Sequence, residues 1–276
     1  MKKTIALITV TVLLAACGTQ TPAPQKLTKN QLSSVAEDII KSINADADRM
    51  VQSDADAFMA PNVGLFGGSI SPTAVKKQQD ESCYTLSGNT ADQDEDGIYA
   101  KATGTLNCNF NLEGLQMGFK GTNNVEDKND SDSQSGFMYG GNQDITLKSE
   151  DSDLTTKLEY GSDLTPLAGK NGYKASSYNK MDMNGTMEGQ TFKANYNVTE
   201  NITLEWTETT AHLKYDGNLK VSATAGNESF AGEISFDGDV NYDQECEGIE
   251  SGTIKFTADG TSVTITYTGC DQYTVQ

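Results

Sequence analysis

The run Asp92-Gln93-Asp94-Glu95-Asp96-Gly97 sets three carboxylates one residue apart and closes them with a glycine. That spacing matches the first half of an oxygen-ligand Ca²⁺ loop. Alternate carboxylates converge on one point, and the glycine permits the sharp turn that brings a backbone carbonyl, here that of Ile98, onto the ion. The twelfth position of a helix–loop–helix calcium loop needs a bidentate Glu, and here it is Thr103. The expected metal site is therefore Asp92, Asp94, Asp96 and the Ile98 carbonyl in a β-loop, completed by a ligand from elsewhere. The competing reading is a solvated acidic loop. The acidic run at 126–132 is spaced less regularly and reads as a solvated hairpin loop.

Other chemistry has few candidates. His212 is the only histidine, so a zinc hydrolase built on several histidines is excluded. Its position beside a turn and its parity place it on the surface, with no Ser-His-Asp arrangement. The strand acids Asp182, Glu205, Asp216 and Asp237 face the polar side. Glu200 is the exception, because its even parity puts it on the apolar face opposite Asn179 and Leu219. Either it points into a cavity and serves a ligand head group, or a bulge over 197–201 turns it to water, and the bulge is the preferred reading. No catalysis is expected. The net charge of −19, from 20 Lys+Arg against 39 Asp+Glu, also argues against a nucleic-acid partner, which needs clustered cations.

The N-terminus reads as an address. Lys2 and Lys3 precede an apolar stretch at 5–16, too short to span a bilayer but suited to a signal peptide. It ends in Leu14-Ala15-Ala16-Cys17-Gly18, which resembles the lipobox of bacterial lipoproteins. The resemblance implies cleavage after residue 16 and a diacylglyceryl, palmitate-type anchor on Cys17. Gly18 in place of Asp implies sorting to the outer membrane, facing the periplasm or the cell surface. Cleavage removes two lysines and takes the charge from −19 to −21. Residues 17–27, with Pro22 and Pro24, read as a lipidated tether.

The remainder, 28–276, reads as one domain. Thr28 and Gln31 fit a capping box, and Leu32, Val35, Ile39, Ile43, Ala47, Met50 and Phe58 recur at helical spacing. The pattern predicts one amphipathic helix over 28–58 and a loop over 59–82. Its polar face is mainly acidic, so core packing is favoured over lying on a membrane, which calls for Lys and Arg.

From 83 to 270 the apolar residues alternate. Ile98, Ala102, Leu106, Cys108, Phe110 and Leu112 are even, and Leu115, Met117 and Phe119 are odd. A two-residue turn pairs positions on the same face. A turn at Glu113-Gly114 therefore pairs Leu112 with Leu115 and Phe110 with Met117. A turn at Gly189-Gln190 pairs Met187 with Phe192 and Tyr173 with Trp206, and one near Thr209-Thr210 pairs Trp206 with Leu213 and Val198 with Val221. Turns at Gly226-Asn227 and Asp259-Gly260 pair Ala223 with Phe230 and Phe256 with Val263. Asp216-Gly217 and Asp237-Gly238 resemble hairpin turns but keep one parity through them, so they read as strand interiors. The pattern predicts about eleven strands, several of them roughly 45 Å long, in a curved antiparallel β-meander of half-barrel or barrel-like form. Its apolar face is on the order of 2,000 Å². The single helix, packed on that face, covers about a quarter of it.

Apart from Cys17, four cysteines remain, and an even count in an exported chain suggests two disulfides. Strand ends favour Cys83–Cys108 and Cys246–Cys270, although the opposite parity of Cys83 and Cys108 requires an end distortion.

The lipobox, the Cys…DxDxDG…Cys spacing, the long Thr-rich strands and the Gly-Cys near the end together resemble a loose group of exported bacterial lipoproteins. That group lends no activity. The architecture is also similar to half-barrel carriers that move lipids or lipoproteins between membranes. Two expectations follow. The chain is a membrane-anchored structural or interaction module, or it carries a lipid or another apolar ligand in a cavity lined by Met181, Met183, Tyr196, Glu200, Leu204, Trp206, Tyr215 and Phe236.

Overall fold

The computed structural model describes Leu32, Ser33 and residues 83–276 apart from 113, 188, 208, 227, 244, 247 and 271. The expected signal peptide, the tether, the loop 59–82 and the helix 28–58 beyond Leu32 and Ser33 lie outside the described residues.

Alternation of β-branched or aromatic residues with polar ones favours pleated strands with one buried face. Twelve such strands follow one another. They are β1 (Tyr84–Asn89), β2 (Lys101–Leu112), β3 (Leu115–Asp127), β4 (Phe137–Lys148), β5 (Ser152–Pro166) and β6 (Gly172–Met187), then β7 (Gln190–Trp206), β8 (Thr210–Ala225), β9 (Glu228–Asp243), β10 (Gly248–Ala258), β11 (Thr261–Gly269) and β12 (Gln272–Val275). They form one antiparallel sheet in strict chain order, with β1 and β12 as its edges. The sheet is not closed, so the barrel form of the expectation is set aside. A short strand beyond Cys270 also takes the count above eleven.

Three hairpins keep the expected register. Leu112 pairs with Leu115, Ala223 with Phe230, and Phe256 with Val263. At the last of these, Asp259 and Gly260 both adopt positive φ, 50° and 79°, as a two-residue turn matched to strand twist requires. Two hairpins are shifted by two residues. Tyr173 pairs with Leu204 instead of Trp206, and Val198 pairs with Leu219 instead of Val221. The chain turns one residue earlier after β6, and a three-residue connection over 207–209 follows β7. There the Thr207 amide donates to the Thr210 carbonyl at 2.8 Å. A slip of two leaves every side chain on its own face, so the apolar pattern does not oppose it.

Asp216-Gly217 and Asp237-Gly238 are strand interiors, as parity demands. Tyr215 pairs with Gly238 and Phe236 with Gly217. The two rings, 6.2 Å apart, lie over the two glycines. A Cβ at Gly238 would sit 2.3 Å from the Tyr215 ring, and one at Gly217 would sit 2.5 Å from the Phe236 ring. Glycine is selected there for space, and the aromatic covers the backbone that it bares.

The core lies on the inner face of β7 to β11. Ile254, Phe256, Val263 and Ile265 are fully buried, and Leu32 joins the same apolar cluster with no exposed surface. Both disulfides form as expected, Cys83–Cys108 and Cys246–Cys270, with Cα separations of 4.9 and 5.3 Å. The parity conflict of the first is relieved because Cys83 stands just outside β1, where its carbonyl accepts the Asn107 amide at 2.8 Å.

Gly238→Ala should destabilise the fold by about 1–3 kcal/mol through overpacking against Tyr215. The check is a thermal melt, in which an unchanged Tm would show that the ring is not held over the glycine.

Candidate functional site

Polar groups gather against the described fold at two places, the acidic loop ahead of β2 and Glu200 within β7. In the acidic loop the backbone folds onto its own carboxylates. The Gly97 amide donates to Asp92, the Asp96 amide to Asp94 Oδ1 at 3.3 Å, and the Ile98 amide to Asp96 Oδ1 at 2.7 Å. Glu95 and Gly97 take the positive φ values, 60° and 88°, that the turn needs. The Ile98 side chain is buried in the core and anchors the loop's end.

Two further carboxylates arrive from the run at 126–132, which was expected to be merely solvated. One oxygen each of Asp92, Asp94 and Asp130 lie within 4.8 Å of one another, and the same holds for Asp94, Asp96 and Asp127. These clusters could hold a metal ion. Among the described residues no lysine or arginine pairs with any of the five. Burial pushes the Asp96 carboxyl up to about 6. The Ile98 amide opposes this, and the charges of Asp94, Asp127 and Asp92 reinforce it. A signal for Asp127 was present in the hairpin arithmetic. The register that pairs Ala102 with Val125 brings Asp127 beside the end of the acidic loop, where its amide donates to the Tyr99 carbonyl at 3.2 Å.

Glu200 is buried and faces inward. The register of β7 runs unbroken through it on both sides, so the preferred bulge over 197–201 does not form. Its neighbours are Ser177 and Gly217 instead of Asn179 and Leu219, because the two flanking hairpins are shifted by two. The Ser177 hydroxyl donates to Glu200 Oε1 at 2.9 Å, which offsets part of the cost of burying the carboxylate. On the outer face of the same strands, behind Glu200, runs a groove of about 270 Å³ lined by Ser176, Tyr178, Asn201, Asp216 and Asn218.

The other expected lining residues share one face but not one cavity. Met181 pairs with Tyr196, and both are half-buried, as is Met183. Leu204, Tyr215 and Phe236 are packed to 2–3% exposure. Trp206 stands edge-on to Tyr173 at 5.9 Å and lines a crevice of about 240 Å³ with Phe137, Leu164 and Asp96. His212 lies on the outer face and bonds Asp239 at 2.7 Å, an acid it shares with Lys214. Its hydrogen bond lowers the Asp239 pKa, as a surface pair does. Compared with known proteins, the chain matches no family model, no curated sequence and no solved structure.

Five inner-face tyrosines respond to this environment. Burial pushes Tyr139 up to about 12, opposed by a hydrogen bond with Ser162 and reinforced by the charge of Glu200. Burial also raises Tyr160, Tyr173, Tyr196 and Tyr215. Their folded pKa values lie above the unfolded value of about 10, so their stabilising contribution is complete below pH 10. It is lost as pH rises through 10 toward 12 and beyond. In an alkaline titration, absorbance at 295 nm from these residues should rise only as the circular dichroism of the sheet collapses. Ionisation of all 11 tyrosines near pH 10 with the sheet intact would contradict this.

Proposed function

We propose that this protein is an exported lipoprotein of the bacterial outer membrane, related to the loose group that its sequence pattern resembles. It is held by acyl chains on Cys17 and acts as a structural or interaction module without catalysis. The observation that carries this reading is the packing of the inner face. Leu204, Tyr215 and Phe236, expected to line a cavity, are buried with Ile254, Phe256 and Ile265 at exposures of 0–3%. An apolar face consumed by its own packing leaves loops and the outer face for contact with partners. Two disulfides support an oxidising compartment. One acyl chain binds a bilayer only marginally, so a multiply acylated Cys17 is what makes the anchor stable. The acidic loop, with Asp92, Asp94, Asp96 and the Ile98 carbonyl, holds a Ca²⁺ ion as a structural cofactor.

A second reading keeps the carrier. It is favoured by the half-buried Met181 and Met183 and by Phe110, which is 42% exposed, since flexible thioethers adapt to irregular apolar ligands.

Cys17→Ser should abolish incorporation of labelled palmitate and move the protein from the membrane to the soluble fraction. Unchanged labelling and fractionation would refute the anchor. Native mass spectrometry of the protein purified without added lipid separates the two functional readings. The module should fly at its own covalent mass, whereas a carrier retains a stoichiometric apolar adduct.

A further inference from the structure

The β2–β3 pairing carries the end of β3 past the acidic loop, and the next connection, between β3 and β4, folds back against it. The two loops are joined by hydrogen bonds from backbone amides. The Asp127 amide donates to the Tyr99 carbonyl, and the Gln93 amide donates to Asp130 Oδ1 at 3.0 Å. Asp127 is 7% exposed. Its Oδ1 accepts from the Asn129 amide and the Ser135 hydroxyl, both at 3.1 Å. Its Oδ2 is shut off from solvent and accepts no hydrogen bond, and Asp94 Oδ2 and Asp130 Oδ2 are in the same condition. A buried carboxylate oxygen without a donor is costly, and native folds normally supply a partner. Here three such oxygens belong to carboxylates that converge with Asp92 and Asp96, and Asp94 is common to both triads.

We infer that a divalent cation of the Ca²⁺ class is clamped between the two loops, with Asp127 and Asp130 completing the ligand set that Asp92, Asp94 and Asp96 begin. This rests on the reading of the acidic loop as a Ca²⁺ loop and extends it to a second chain segment. An all-oxygen, carboxylate-rich set on two loops suits Ca²⁺, which accepts 6–8 oxygens in flexible geometry. Mg²⁺ demands a stricter octahedron, and zinc favours the Cys and His that this cluster lacks. The ion supplies the charge that the cluster is missing. It also ties the β1–β2 connection to the β3–β4 connection, so binding is coupled to the order of that end of the sheet.

The test is calorimetric titration of CaCl₂ into the EDTA-stripped, desalted full chain, together with thermal melts in EDTA and in Ca²⁺. Asp127→Asn is the informative variant, because its amide oxygen can still accept from Asn129 and Ser135 while an NH₂ replaces the unpartnered oxygen. Wild type should bind, and a free ion concentration 100-fold above Kd should raise its Tm by roughly 5–10 °C. Asp127→Asn and Asp130→Asn should each weaken binding by about tenfold or more. Asp132→Asn, in the same connection but outside the cluster, should stay within about twofold of wild type. In EDTA, Asp127→Asn should melt no lower than wild type, since it removes a buried charge, and this separates a lost ligand from a damaged fold. Binding by wild type that neither Asp127→Asn nor Asp130→Asn alters would overturn the two-loop clamp and leave the single-loop reading standing. No binding by wild type would overturn both.

Discussion

Side chains alternate along a strand, so a sheet with one apolar face can change its pairing only in steps of two residues. A shift of one would turn a whole strand's apolar side chains to water, at about 1.5–3 kcal/mol for each large one. A shift of two costs only the difference between one set of neighbours and another. This rule organises the twelve strands. It keeps Asp216-Gly217 and Asp237-Gly238 inside β8 and β9, although either dipeptide could turn the chain. It places Tyr215 and Phe236 over the two glycines, and it holds Glu200 inward in a continuous strand. The buried carboxylate is then met by Ser177 from the neighbouring strand, without distortion of the backbone.

The same rule explains what was legible in the amino-acid sequence. The hairpins at Leu112–Leu115, Ala223–Phe230 and Phe256–Val263 could be read because their turns carry glycine at a defined place and their arms change parity there. The β6–β7 and β7–β8 hairpins were read two residues out of register. Parity is blind to even shifts, and Phe192 and Trp206 keep the same face in either pairing. The disulfides were legible from strand ends. The acidic loop was half legible. Asp92, Asp94 and Asp96 announce themselves by local spacing, whereas Asp127 and Asp130 join them only through tertiary pairing of β2 with β3. Their own run, 126–132, lacks a regular repeat, so its local spacing does not mark it as a ligand set.

Glu200 shows how a conflict between pattern and chemistry is settled. An acid at an apolar parity position argued for a bulge. In the fold, the strand keeps its register and the Ser177 hydroxyl donates to the carboxylate at 2.9 Å. A bulge there would have disturbed the backbone ladders to both β6 and β8, which run unbroken through Glu200. The acidic loop resolves a similar conflict differently. Its carboxylates take backbone amides for some oxygens and leave others turned toward one another.

Among the described residues the backbone ladder of every strand runs only to its neighbours in the chain, which gives the sheet the character of a linear array. In such an array the contacts are local, so folding can advance one hairpin at a time, and an interior strand is held from both sides. The ends are different. Among the described residues β1 and β12, of six and four residues, are each paired on one side, and they are where the array would fray. The covalent cross-links stand at these ends. Cys83–Cys108 ties the residue before β1 to β2, and Cys246–Cys270 ties the β9–β10 connection to the turn between β11 and β12. Fraying begins at termini and propagates inward, so two bonds at the margins slow the unzipping of all twelve strands. The long central hairpins need no such bond.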